Sequence, residues 1–387
     1  MHIVGKYTKI TLLLLSMTTM MSNVAIVTML PHLKNYFQNV DNIEFLSRLM
    51  ITLPSLAIAF LAPFIGHIVH KVGKYISALF ALILFSTAGS AGLYLQTMEE
   101  LLFSRFLLGI AIGILMIVTT SLIGDYFQGE ARHRYMGIQS LFISLGGVFF
   151  VVGGGVLADM DWRYPFGIYL VGFLLLPMAF RFLEERSVDT LDEEEIELNK
   201  GIFKIYTLAF FLMLIFYILP TQMPFLIINH FGASSKLAGS IIALAFLSNG
   251  LGALSFAKLK TKFTFATIYL IGMTIVSLGF ILIGLANDVR FFFLTSPIMG
   301  FGGGILMTSI SAWMLSTVHP QKRVKASGYL TSSLFLGQFF SPIVFHMPVI
   351  IFGVQSFFIV IGVILGIIVS SIYLFQKVNI FIRGKRV

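Results

Sequence analysis

The chain contains no cysteine, and only 11 % of its 387 residues are Asp, Glu, Lys or Arg. Without cysteine there is no disulfide, no thiol catalysis and no thiolate metal site. The shortage of charge excludes more. Soluble domains carry roughly 25 % charged residues, whereas here 57 % of residues are hydrophobic. A soluble protein this apolar would have nothing with which to cover its surface. The composition therefore reads as a polytopic membrane protein and excludes a water-soluble enzyme, a nucleic-acid binder and a disordered chain. No G-x-x-x-x-G-K-[ST] run occurs, so the chain shows no sign of nucleotide hydrolysis.

What is present is a series of apolar runs. A membrane helix needs about 20 mostly apolar residues, and twelve segments qualify: 10–31, 46–68, 76–96, 101–123, 136–158, 165–183, 203–227, 237–257, 264–286, 291–315, 326–348 and 353–375. A spanning barrel would need segments alternating in polarity. Runs such as Leu12–Leu15 and Ile359–Ile368 do not alternate. Lys6 and Lys9 before the first run give it the look of a signal peptide, but no small-residue cleavage site follows. The expected fold is all-α, with twelve transmembrane helices in two pseudo-symmetric six-helix halves.

Lys and Arg accumulate in cytoplasmic loops. With the N-terminus inside, twenty basic residues fall on the cytoplasmic side. Five fall outside (Lys34, Arg48, Arg163, Lys236 and Arg290), and Arg105 lies within a span. Both termini are thus expected in the cytoplasm. The net charge of +9 follows from this asymmetry and needs no nucleic-acid partner.

Eight acids between Glu184 and Glu197 mark the longest polar stretch. It divides the chain into a half at 1–183, an acidic cytoplasmic linker at 184–202 and a half at 203–387. The halves are related. Gly109-x-x-x-Gly113-Ile-Leu-Met116 matches Gly300-x-x-x-Gly304-Ile-Leu-Met307, and with no gap Arg132 falls on Arg323 and Gly137 on Gly328. At a nearby offset, Thr28-x-x-Pro31-x-Leu33 matches Thr221-x-x-Pro224-x-Leu226. Parallel six-helix repeats are a transporter signature, with the site at the midplane between them.

Strong polar groups inside a membrane usually face the bundle interior. Asn23, Tyr217, Asn249 and Gln338 lie mid-span, Gln222 in the outer half of span 7, and Arg105 in span 4. These six are the candidate substrate-binding residues. Single Asn and Gln residues also join helices without touching any solute. Spans 3, 6, 9 and 12 have no such residue, so every third helix is expected to face lipid. Pro220, Pro224, Pro297, Pro342 and Pro348, with Gly153–Gly155 and Gly300–Gly304, interrupt several spans, either for packing or as hinges.

Several motifs together resemble the major facilitator superfamily. Loop 2–3 reads Gly66-His-Ile-Val-His70-Lys71-Val-Gly73-Lys74 and resembles the family's G-x-x-x-D-R-x-G-R-R. Arg105-x-x-x-Gly109 is similar to its span-4 Arg motif. Gly153-Gly-Gly-Val-Leu-Ala-Asp-Met-Asp-Trp162-Arg163-Tyr-Pro165-Phe166 is similar to its G-G-x-L…W-R-x-P-F. The resemblance implies a latch near loop 2–3 built by Asp125 with Lys71, Lys74 or Arg132, with His70 standing where the family has Asp. It also implies transport by alternating access and, from the small efflux branch, export of small organic molecules in exchange for protons. The antiporter branch carries Gly-Pro where this chain has Phe150-Val151.

The acids set a limit on proton coupling. Of the seventeen, eight lie in the linker and the other nine at membrane edges, so no mid-span carboxylate can carry the proton. Asp125 and Glu44 are nearest. The coupling or gating candidates are therefore Asp125, Glu44, His70, Lys71, Lys74 and Arg132. His32, His230 and His346 sit near outer helix ends. No catalytic residue, metal site or cofactor is expected. The expected partners are a small-molecule substrate, protons and the bilayer, for a monomer in the cell inner (plasma) membrane. The alternative is a passive facilitator or importer of a neutral or anionic solute.

Overall fold

A computed structural model describes residues 5–127, 129–185, 200–318 and 323–384; the side chains of Asn23, His70 and Arg132 and most of the acidic linker lie outside the described set. The described regular structure is helical throughout. Inside a bilayer each backbone N–H and C=O must find its partner within its own segment, and a helix provides that.

The helices are α1 (Lys6–Val24), α2 (Leu33–Tyr36), α3 (Ile43–Val72), α4 (Lys74–Gly89), α5 (Met98–Tyr126), α6 (Gly129–Met160) and α7 (Val171–Phe182). After the linker come α8 (Lys200–Phe216), α9 (Ile218–Phe225), α10 (Ser235–Lys260), α11 (Phe265–Gly284), α12 (Phe292–Thr317), α13 (Arg323–Phe352) and α14 (Val354–Gly384). Local chemistry sets several boundaries. Thr97 and Glu100 form a reciprocal capping box at the start of α5, and the Thr264 hydroxyl caps α11. Gly73 turns the chain from α3 into α4 at φ +95°, where a side chain would be strained.

Among the described residues, eleven of the twelve expected spans are helices long and apolar enough to cross a membrane. The remaining one, expected at 10–31, is α1 continued by a 3-10 segment, Val27–His32. Large apolar side chains such as Phe60, Phe80, Phe149, Leu174, Leu254 and Phe375 stand exposed. On a membrane-spanning protein these are the faces that meet lipid.

The expectation that every third helix faces lipid holds unevenly. The sixth and twelfth spans are 33 % buried, but the third is 61 % and the ninth 56 % buried. A helix without Asn or Gln can still be buried if its face is small. Here α4 packs on α5 and α7, and α11 lies against both α12 and α14.

The chain forms two compact units. The first is Met1–Ala243 with Val318–Val344, and the second is Leu244–Thr317 with Phe345–Val387. In the first, α1 packs on α6, and α3 and α4 both pack on α5. A Cβ at Gly109 of α5 would collide with the Pro54 backbone of α3. In the second, Cβ atoms at Gly300 and Gly304 of α12 would collide with the carbonyl oxygens of Ala245 and Asn249 on α10. The repeated Gly-x-x-x-Gly thus makes a close helix crossing in each unit, as small residues do in membranes.

Candidate functional site

Two helices of the first unit are broken at matching places. After α1 the chain passes through the 3-10 segment Val27–His32, which contains Pro31. After α8 it breaks at Tyr217, continues as α9 with Pro224 inside, and ends in a π-helical turn, Leu226–His230. The repeated Thr-x-x-Pro-x-Leu sequences lie across these two breaks. Proline explains them, because it removes a donor and crowds the preceding turn. The Thr221 hydroxyl donates to the Tyr217 carbonyl at 2.7 Å, alongside the Thr221 amide at 3.3 Å. The 3-10 segment packs against both α9 and α3, so the two breaks adjoin.

Polar groups collect around them. Arg48, on α3, is 1 % exposed, and its guanidinium lies 4.2 Å over the centre of the Phe225 ring. Its Nη2 is 3.7 Å from a Glu44 carboxylate oxygen, beyond hydrogen-bonding reach, while Lys34 holds the other oxygen of Glu44 at 2.8 Å. Thr52 and Ser55 follow Arg48 on the same face of α3 at i+4 and i+7. Gln222, one turn before Phe225, is fully buried. Among the described residues, both amide atoms of Gln222, Nε and Nη2 of Arg48, and the hydroxyls of Thr28, Thr52 and Ser55 have no hydrogen-bond partner. A buried polar atom left unpaired costs about 1–3 kcal/mol. Nearby, Tyr217 and Gln338 of α13 are both buried, and their side chains interact.

The end of α6 closes onto the start of α10. Asp159 accepts hydrogen bonds from the amides of Ser235 (2.6 Å) and Lys236 (3.0 Å), a negative charge placed at a helix N-terminus where the dipole favours it. The Ser235 hydroxyl bonds to His32 Nε2 at 2.7 Å. Glycine brings the two backbones together: a Cβ at Gly155 would lie 2.5 Å from the Ser235 carbonyl oxygen, and one at Gly239 would lie 2.6 Å from that of Val151. Burial lowers the His32 pKa below its ordinary value, with the charge of Asp159 opposing.

Arg105 is fully buried and engaged elsewhere. One guanidinium nitrogen donates to the carbonyls of Ala88 (2.8 Å) and Gly89 (2.6 Å), where α4 ends. Its guanidinium also lies 5.0 Å and 5.2 Å from the ring centres of Phe166 and Tyr169. Carbonyls freed at a helix end are natural partners for a buried cation.

At the loop between α3 and α4, Lys74, one of the three expected partners of Asp125, pairs with it at 2.5 Å; the side chain of Arg132, another of them, lies outside the described set. Glu185 accepts from the backbone amides of Lys74 (3.0 Å) and Tyr75 (2.8 Å). This carboxylate caps α4 and ties the beginning of the acidic linker to the loop. Lys71 is exposed.

Of the six candidate substrate residues, Tyr217, Gln222 and Gln338 belong to the buried polar region of the first unit, where Arg105 is bound to carbonyls. Asn249 is in the second unit, where its backbone carbonyl packs against Gly304. Arg48 was the residue missed. The charge count assigns it to an outer loop, but it sits on α3 within the apolar stretch Ile43–Ala62. The signal that could have found it was the stripe Arg48, Thr52, Ser55 at helical spacing.

The sequence profile of the Major Facilitator Superfamily matches residues 12–207 and again 205–379. The chain is 29 % identical over 302 residues to multidrug resistance protein 1 of Bacillus subtilis, covering 73 % of this chain and 75 % of that protein. It is 23 % identical over 312 residues to the quinolone resistance protein NorA of Staphylococcus aureus, covering 76 % and 79 %. Among solved structures, a bacterial homologue of the human lysosomal transporter Spinster in an inward-facing, occupied conformation superposes with a TM-score of 0.78 at 17 % identity, over 96 % of each chain. A D-xylose–proton symporter superposes with a TM-score of 0.71 at 14 % identity, over 92 % of this chain and 96 % of that one.

Proposed function

This chain belongs to the Major Facilitator Superfamily, and we propose that, as a multi-pass membrane transporter of that family, it exports small organic molecules from the cytoplasm by alternating access, in exchange for protons. In this reading 1–183 and 203–387 are the two moving halves, joined by 184–202, with both termini cytoplasmic in the inner (plasma) membrane. The double match of the family profile supports the two halves. The names of the Bacillus and Staphylococcus relatives support export of drug-like solutes.

The observation that carries the reading is the pair of broken, repeat-related segments packed against each other, with Tyr217, Gln222 and Gln338 at or beside them. Discontinuous helices at the meeting of two repeats are where secondary transporters hold their solutes. The Asp159–Ser235–His32 junction is then an outer gate, and the Lys74–Asp125–Glu185 cluster the cytoplasmic latch of the N-terminal half. Protons arriving from outside would meet Asp159 and His32 first.

The test is proton flux in proteoliposomes carrying a pH-sensitive dye, challenged with neutral, anionic and cationic solutes. Exchange predicts that one solute class dissipates an imposed pH gradient. Equilibration of solute with the gradient intact would instead establish the second reading, a facilitator or importer of a neutral or anionic solute. That reading is favoured by the absence of any mid-span acid from the sequence.

A further inference from the structure

We propose that Arg48 and Gln222, beside the Phe225 ring, form a subsite for the carboxylate group of an organic anion. This names the substrate class of the pathway described above and rests on that reading of the chain as a transporter.

Among the described residues, seven buried side-chain nitrogen and oxygen atoms without a hydrogen-bond partner belong to just five residues: Thr28, Arg48, Thr52, Ser55 and Gln222. Buried polar groups in folded proteins are satisfied, so a concentration of unsatisfied ones marks a place that something else fills. The strongest donors in the set define what that is. Arg48 offers N–H groups from Nε and Nη2, which lie along one edge of the guanidinium fork. Gln222 adds an amide NH2. A carboxylate matches a fork edge with two parallel hydrogen bonds. The Gln222 oxygen and the three hydroxyls can accept from the rest of the solute or from water held with it.

The surroundings leave Arg48 available. Its guanidinium carbon lies 4.2 Å over the centre of the Phe225 ring, and the contact leaves Nε and Nη2 without hydrogen-bond partners. Glu44 neutralises part of its charge from 3.7 Å without bonding to it. When a solute carboxylate takes the fork, Glu44 keeps its 2.8 Å bond to Lys34 and is not orphaned. Arg105, the other arginine deep in a span, has Nη2 engaged by two carbonyls and Nη1 alone without a partner, so it offers no complete fork edge. The discrimination between acid and neutral solute therefore falls to Arg48.

The test uses the full chain in lipid nanodiscs and a matched pair of probes, 4-phenylbenzoate and 4-phenylbenzamide, by equilibrium binding. The wild-type protein is expected to bind the carboxylate tighter than the amide by roughly tenfold. The ratio falls toward one in Arg48→Gln, is intermediate in Arg48→Lys, which keeps the charge but loses the fork, and falls less in Gln222→Leu. A wild-type ratio near one, or no binding of either probe, overturns the subsite. That measurement needs no variant, so a misfolded Arg48→Gln cannot obscure it. A wild-type preference that persists in both folded Arg48 variants also overturns it, and leaves water as the occupant of the region. Counterflow in vesicles separates this from the transport reading. Carboxylate bound through Arg48 but never moved would sink transport and leave the subsite. Both probes moved without discrimination would do the reverse.

Discussion

The carboxylate of Asp159 accepts the backbone amide of Ser235 at 2.6 Å, across 76 residues of sequence, and accepts that of Lys236 with its other oxygen. It joins the last turn of α6 to the first turn of α10 and supplies partners that the helix cannot supply for itself. Asp159→Ala is expected to lower stability by about 1–2 kcal/mol, the range for losing an N-terminal cap. Asp159→Asn, which keeps one acceptor, is expected to lose less. Thermal unfolding of the two variants in detergent checks the order. Equal loss would mean that the cap is not what the carboxylate contributes.

The same junction is expected to weaken in mild acid. The folded protein holds the His32 pKa below its ordinary value, chiefly through burial, so the unfolded chain takes up the proton first. Stability from this residue is complete above the ordinary histidine pKa of about 6.5 and declines as pH falls from there to the folded value. Unfolding temperatures of wild type and His32→Gln between pH 7.5 and 5 provide the comparison, and the slope should be shallower in the variant. Parallel curves would remove His32 from the account.

Glycines on crossing faces should be unequal. A Cβ at Gly304 would run into the Asn249 carbonyl oxygen, whereas one at Gly250 meets nothing within 4 Å. Gly304→Ala is expected to reduce folded yield sharply. Gly250→Ala is expected to be neutral or stabilising by up to about 1 kcal/mol, because alanine is the better helix former. Membrane yield and size-exclusion profiles distinguish them.

Lys74 and Asp125 should be energetically coupled. Their side chains are 20 % and 9 % exposed, so removing either leaves a poorly solvated charge. A double-mutant cycle with Lys74→Met and Asp125→Asn is expected to give a coupling of about 1 kcal/mol or more. Additive losses would show that the pair contributes nothing jointly.

Arg105→Lys is expected to be destabilising even though it keeps the charge. The guanidinium bonds two adjacent carbonyls from a fixed plane and lies beside two aromatic rings, a geometry an ammonium cannot copy. A drop of several degrees in unfolding temperature is the expected reading, and an unchanged value would argue that the carbonyls are satisfied without it.

The membrane spans, their helical nature and the repeated motifs were legible along the chain because each depends on local composition or spacing. Burial of Arg48 was not, since a charge near a span end reads as loop until the helix face beneath it is known. Tyr217 and Gln338 were found singly, but their pairing joins helices 121 positions apart in sequence. The resemblance offered three bases as partners of Asp125, and the contact with Lys74 depends on where α4 begins. Glu185, counted among the linker acids, caps that helix through backbone amides that no pattern of side chains reveals.

The sequence by itself determined that this protein lives in a bilayer as a bundle of helices with related halves, because apolar length and periodicity leave the backbone no other way to satisfy its hydrogen bonds there. Only the tertiary structure decided which polar groups are spent on holding helices together and which are left unpaired. That distinction depends on distances between segments remote in sequence: Arg105 meets the carbonyls at the end of α4, while Arg48 meets only the face of Phe225 and a carboxylate just out of reach.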